Sequence, residues 1–235
     1  MKNLIIASTS TIHGGKYLNY LRDELQNHFS NISELLFIPY ARPGGISHDK
    51  YTAIANKFFN TMGINVKGIH EFNSPKEAVR NAQGVFTGGG NTFLLVKQLY
   101  HYDLLSDLKN VILSGTPYLG SSAGSNICGL TAHTTNDMPI VLPKSLKTLG
   151  VVPFNINPHY LDPDPNSTHM GETRETRIKE FMNYNPQPVV GLREGSWIKV
   201  NGDDMILCGH LNARVFESIN KTSEVAPGYN FRNLK

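Results

Sequence analysis

Pro117-Tyr118-Leu119-Gly120-Ser121-Ser122-Ala123-Gly124 sets a serine between small residues directly after an apolar, β-prone run. A serine on a strained strand-to-helix turn stands clear of its own backbone only where the flanking positions carry little or no side chain, which is the pattern of a nucleophile elbow. Ser122 is the candidate nucleophile. A plain small-residue turn has the same composition, so the rest of the chain must decide.

Working outward, short runs rich in Val and Ile alternate with longer amphipathic segments, the signature of repeated βαβ units and a mainly parallel α/β sheet with helices on both faces. Leu4 to Ser8 reads as the first strand, Lys16 to His28 as a helix with Leu18, Leu21 and Leu25 on one face, and Leu35 to Pro39 as the second strand. His48 to Met62 reads as helix, Ile64 to Ile69 as extended, Ser74 to Ala82 as a helix capped by Ser74 with Pro75 at its first position, and Gly84 to Thr87 as extended. Gly88-Gly89-Gly90 leads into a helix from Asn91 to Tyr100, and another follows around Leu104 to Leu113. Beyond the elbow the pattern changes. Pro139 to Leu142 and Val151 to Asn155 are expected as strands, Glu172 to Tyr184 as a helix, and Val189 to Val200, Met205 to Cys208 and Arg214 to Phe216 as short strands. These last form an antiparallel C-terminal extension of the same sheet. Nothing resembles an interdomain linker, so residues 1–235 are expected to form one domain.

The 235 residues are 40% hydrophobic and 17% charged, enough for a sizeable core, and the net charge is only +3. The basic residues are spread along the chain without interleaved aromatics, so no nucleic-acid partner is indicated. Leu4-Ile5-Ile6-Ala7 is too short for a signal-peptide core or a membrane span, and no later run approaches the needed length. A cytoplasmic protein with no membrane partner is expected. Cys128 and Cys208 lack a CxxC spacing, which suits a reducing compartment, and two small buried hydrophobes are the expectation for them.

The triple glycine precedes a helix, as phosphate-cradling loops do, but no Lys-Ser or Lys-Thr follows it and its spacing is not G-x-G-x-x-G. Its other reading is an oxyanion site, with the amides of Gly89 and Gly90 joining that of Ala123 where two parallel strands end side by side. A serine nucleophile needs a base. Of nine histidines, His159 follows the extended run Phe154-Asn155-Ile156-Asn157-Pro158 and so falls at a strand end. His13, His48, His70, His101, His133, His169 and His210 lie in polar or turn-like stretches, and His28 ends a helix, where it offsets the dipole. No pair has HExxH spacing, so no metal site is expected. The acid that orients the base is either Glu194, at another strand end, or Asp137, in the polar run before Met138-Pro139; spacing does not choose between them.

Several separated motifs together resemble one family: Gly88-Gly89-Gly90-Asn91-Thr92-Phe93, Ser122-Ala123-Gly124-Ser125-Asn126, Thr134-Thr135-Asn136-Asp137-Met138-Pro139-Ile140-Val141, Ile156-Asn157-Pro158-His159, Gly171-Glu172-Thr173-Arg174-Glu175 and Glu194-Gly195. They are similar to peptidase E, the cytoplasmic α-aspartyl dipeptidase family of serine peptidases. The resemblance implies Ser122 as nucleophile, His159 as base and Glu194 as orienting acid, an order shared with class I glutamine amidotransferase-like folds. It also implies Arg174 as the cation that selects an aspartyl side chain, with Asn91 and Asp137 as further substrate-binding residues. Where family members carry tryptophan before the serine, this chain has Ser121, which bears on the pocket floor.

The implied reaction is hydrolysis of the bond after an N-terminal aspartate in dipeptides and small amides or esters, with a small peptide as the only partner, no metal or cofactor, and a monomer or homodimer as the assembly. Two rivals stand beside it. A cyanophycinase-like peptidase would keep Ser122 and His159 but need a more open cleft. A phosphate- or nucleotide-binding protein built on the triple glycine would have no use for the elbow.

Overall fold

Residues 1–168 and 170–234 are described by a computed structural model; the expectation for His169 lies outside the described residues, as does Lys235. The strands, in chain order, are β1 (Asn3–Ala7), β2 (Glu34–Ile38), β3 (Asn65–Gly68), β4 (Val85–Thr87), β5 (Tyr118–Ser121), β6 (Asn155–Pro158), β7 (Val189–Leu192), β8 (Trp197–Asn201), β9 (Asp204–Cys208), β10 (Ala213–Ser218) and β11 (Lys221–Val225). The helices are α1 (Arg22–His28), α2 (His48–Phe59), α3 (Pro75–Arg80), α4 (Thr92–His101), α5 (Leu105–Ser114), α6 (Ala123–Asn126) and α7 (Arg174–Met182).

Seven strands form one sheet in the order β3-β2-β4-β5-β1-β8-β9. The first five are parallel, and β8 and β9 continue it antiparallel. The central strands are apolar along their length because helices cover both faces. Helices α1 and α2 pack on one face through Leu25, Ala55 and Phe59, beside Leu21 just before α1. On the other face α3, α4 and α5 contribute Val79, Leu95, Val96, Leu108 and Ile112 to a larger core shared with Ile156, Val190 and Val215 of a second sheet. Each such buried side chain is worth about 1.5–3 kcal/mol.

The expected antiparallel extension of the first sheet is formed by β8 and β9, while β7 and β10, expected in it as well, lie in that second sheet, β11-β10-β7-β6. Every residue of β7 is buried, so this strand needs cover on both faces and pairs with β6 in parallel, whereas β8 alternates buried and exposed positions. Pro139 to Leu142 is no strand: prolines at 139 and 143 remove amide donors, and Met138, Ile140 and Leu142 are exposed. The strand expected from Val151 begins only at Asn155, because the amides of Val151 and Val152 bond to the carbonyl of Cys128. The helix expected from Lys16 starts at Arg22, since Leu18 is left-handed at φ 53° and gives its amide to Ser10, yet Leu18, Leu21 and Leu25 are all buried. Ser74 caps α3 as its sequence suggests.

The ring of His28 is partly buried against Phe29 with Nε2 beside the Tyr118 carbonyl, and desolvation favours its neutral form over a helix-end charge. Cys128 is buried, with its thiol pushed up by desolvation, while Cys208 is only half-buried. No helix among the described residues is long and apolar enough to cross a membrane.

Candidate active site

Strand β5 ends at Ser121 and α6 starts at Ala123, so Ser122 is the whole of the turn between them. Its backbone lies at φ 54°, ψ −112°, a conformation costing on the order of 1–3 kcal/mol for a residue with a side chain. Surrounding bonds hold it there. The Ser122 amide donates to Ala7 at the end of β1, the amides of Ser125 and Asn126 donate back to the Ser122 carbonyl, and the Ser125 hydroxyl donates to the Ala7 carbonyl at 2.6 Å. Gly124 allows α6 to sit against β4, for a Cβ there would meet the Thr87 carbonyl oxygen at 2.1 Å.

His159 follows the last residue of β6 and Glu194 lies two residues past β7, so the parallel pairing of these strands brings together residues far apart in the chain. The His159 Nε2 stands 2.8 Å from the Ser122 hydroxyl, and its Nδ1 stands 2.5 Å from Glu194 Oε1. The network assigns the tautomer: Nδ1–H donates to the carboxylate and Nε2 accepts from the serine. The His159 side chain is 36% exposed and that of Glu194 48%, so the line is open to substrate and water.

His159 is itself left-handed, at φ 53°. Its amide donates to the hydroxyl of the wholly buried Ser8 at 2.8 Å, and that hydroxyl donates to the Leu192 carbonyl at 2.7 Å. Ser8 thus ties the end of β1 to the strand ends that carry His159 and Glu194. Nothing in the sequence marks Ser8, which reads only as the last residue of the first strand. Beside Glu194, Arg193 makes bidentate pairs with Asp162 and Glu224 and a bond to the Asn212 carbonyl, which hold the Asp162 carboxyl below its usual range and the guanidinium above its own.

The glycine loop follows β4. At Gly90, φ is 145° and a Cβ would lie 2.3 Å from the Ala41 carbonyl oxygen, so the loop presses against the loop that follows β2. Gly89 abuts Ser122, where an added Cβ would come within 2.9 Å of the serine Cβ. The Gly89 amide donates to the Tyr51 hydroxyl at 3.0 Å. It is therefore turned away from the oxyanion role expected of it, because a buried amide takes the nearest buried acceptor. The amides of Gly90 and Ala123 have no acceptor among the described residues, the latter being the first N–H of a helix.

Arg174 opens α7, which Thr173 caps. It lines a cavity of about 110 Å³ together with Asp137, Asn157, Arg177, Thr135 and Phe181. Among the described residues it makes no hydrogen bond or ion pair. Burial and the neighbouring Arg177 lower its pKa while Asp137 opposes them, so the pocket favours an added anion. Asp137 Oδ2 accepts the first amide of α4, that of Thr92, at 2.7 Å and the Thr135 hydroxyl at 2.9 Å; among the described residues it makes no bond to His159. Asn91 caps α4 by accepting from Leu94 and gives its Nδ2 to the Met138 carbonyl, so both ends of its amide are engaged within the chain. Asn157 lines the same pocket and has a buried Oδ1 without a hydrogen-bond partner among the described residues. Among the described residues no three His, Cys, Asp or Glu side chains gather as a metal site.

The chain is similar over most of its length to proteins already described. It is 46% identical to the Drosophila melanogaster protein named "Probable alpha-aspartyl dipeptidase" over 229 residues, 96% of this chain and 94% of that one. It is also 46% identical to the peptidase E of Streptomyces coelicolor, over 99% of this chain and 94% of the relative. Its fold matches the crystal structure of a peptidase from an acI-B1 actinobacterium with a TM-score of 0.71 at 15% identity, over 98% and 96% of the two chains. The profile of peptidase family S51 matches residues 4–208, a span that includes Ser122, His159, Arg174 and Glu194, and the chain belongs to that family.

Proposed function

We propose that this chain is a serine peptidase that hydrolyses dipeptides with an N-terminal aspartate. The observation that carries the reading is the unbroken line Ser122–His159–Glu194 standing near a pocket whose Arg174 makes no hydrogen bond or ion pair among the described residues. The name of the Drosophila melanogaster relative supports the substrate class, and that of the Streptomyces coelicolor relative supports a peptidase.

In this reading the substrate's side-chain carboxylate docks on Arg174, where a guanidinium can grip it through two parallel hydrogen bonds. Asp137, on the same wall, faces the α-ammonium. As the Ser122 oxygen bonds to the scissile carbonyl carbon, its proton passes to His159 Nε2, and Glu194 stabilises the resulting imidazolium. The amides of Gly90 and Ala123 bind the oxyanion. His159 then protonates the leaving nitrogen as the C–N bond breaks, leaving an aspartyl ester on Ser122. A water gives a proton to His159 and its oxygen to the acyl carbon. The ester bond breaks, the serine regains its proton and aspartate departs. The core shared by both sheets supports one domain for residues 1–235, and the two unpaired cysteines fit work in the cytoplasm.

A panel of N-terminal Asp, Glu, Asn and Ala p-nitroanilides tests this. The aspartyl compound should be cleaved at least about 100-fold faster than the alanyl one, the scale for one well-desolvated charge pair. Equal turnover of the two would overturn the reading.

A further inference from the structure

With its carboxylate on Arg174, the acyl half of the substrate would lie against α4, α7 and residues 132–137, which pack together. The leaving residue must then extend toward the opposite side, where α2 and the loops after β1 and β2 meet the elbow. One cation there has no role so far. Arg42 follows Ala41, whose carbonyl accepts the Asn91 amide at 2.7 Å and touches Gly90, so its backbone adjoins the oxyanion loop directly. Its guanidinium lies over the ring of Tyr51 with the central carbon 4.5 Å from the ring centre. The hydroxyl of that same tyrosine holds the Gly89 amide beside Ser122.

Arg42 makes no ion pair among the described residues, and its Nε is inaccessible to water and without a hydrogen-bond partner. With Nε closed off, the two Nη groups, which make no hydrogen bond among the described residues, are the ones that this guanidinium, fixed on an aromatic face, has left to offer a planar anion. The residue released by a dipeptidase carries such an anion. Its α-carboxylate lies one residue beyond the scissile bond, about 3.5 Å further along an extended chain.

We infer that Arg42 receives the free α-carboxylate of the leaving residue, and so restricts cleavage to substrates in which a single residue follows the aspartate. This rests on the proposed dipeptidase activity and adds a length selection that Arg174 cannot supply. Longer peptides and C-terminal amides place an uncharged amide where Arg42 expects an anion, leaving it unpaired in the bound state.

The test compares Asp-Leu with Asp-Leu amide, which differ only in that carboxylate, for the wild type and Arg42→Met. The wild type should favour the acid by about 10- to 100-fold in kcat/KM, and Arg42→Met should bring the ratio close to one by slowing the acid alone, as truncating one partner of a charge pair does. Arg42→Lys should retain part of the preference, which keeps the test open if the methionine variant folds poorly. A ratio that Arg42→Met leaves unchanged, or a wild type indifferent to the carboxylate, overturns the assignment while cleavage of Asp p-nitroanilide still stands. A wild type inactive on Asp p-nitroanilide overturns the dipeptidase reading and this one with it.

Discussion

Replacing Ser8 with alanine removes one buried oxygen and no group that touches substrate. That oxygen accepts the His159 amide at 2.8 Å and donates to the Leu192 carbonyl at 2.7 Å. The carbonyl keeps a second bond, from the Tyr160 amide at 3.1 Å, so only the His159 N–H is stranded. One unsatisfied amide costs about 1–3 kcal/mol of stability. The same bond holds His159 in the left-handed region, which costs on the order of 1–2 kcal/mol to occupy. Once released, the backbone relaxes and carries the ring away from its 2.8 Å approach to Ser122. A displacement of about 1 Å at a reacting group lowers turnover by roughly 100-fold. Ser8→Ala should therefore lower the urea midpoint and reduce kcat on Asp p-nitroanilide by about 10- to 100-fold, with little change in KM because the aspartyl pocket is untouched. A destabilised variant with wild-type kcat, or one whose whole loss lies in KM, would refute the idea that Ser8 positions the base.

Glu194→Gln should slow turnover by several orders of magnitude, whereas Asp137→Asn should act mainly on KM and stability; the reverse pattern in steady-state kinetics would exchange their roles. Arg174→Met should cost aspartyl substrates about 2–5 kcal/mol of transition-state binding and asparaginyl analogues much less, so the ratio of their kcat/KM values is the readout, and an unmoved ratio would remove Arg174 from the specificity pocket. Burial pushes His28 down to about 4 against a weaker opposing bond to Tyr118, with Lys199 adding to the shift. The folded state then refuses a proton that the unfolded chain accepts. Stability from this group is complete above the ordinary histidine range and is lost as pH falls through it toward about 4, roughly 3 kcal/mol in all. Urea midpoints measured across that window should fall with pH in the wild type and change less in His28→Leu; parallel slopes would contradict it.

Local rules made much of this molecule legible. The small residues around Ser122 foretell the elbow, and Ser74 with Pro75 foretells the start of α3, because each is decided within one turn of chain. The choice between Glu194 and Asp137 was not legible from spacing, since it depends on β6 lying parallel to β7, a pairing across more than thirty residues. Ser8 left no trace because a hydroxyl that joins two distant backbone groups looks like any serine at a strand end. Gly89 shows the same limit: the glycine loop suggested free amides, but the direction of this one is decided by Tyr51 on α2. The second sheet was missed because the all-buried β7 and the alternating β8 differ in what covers them, which a run of short apolar segments does not reveal.

The central claim is that the Ser122 oxygen, activated by His159, attacks the carbonyl of an aspartyl residue. Its most direct test is the rate of Asp-Leu hydrolysis by wild type, Ser122→Ala and Ser121→Ala, with folding of each checked by circular dichroism. Ser122→Ala should retain the wild-type spectrum and lose about 10⁴- to 10⁶-fold in kcat, while Ser121→Ala should lose little, the Ser121 hydroxyl being buried without a hydrogen-bond partner among the described residues. A folded Ser122→Ala protein that cleaves Asp-Leu near the wild-type rate would contradict the account.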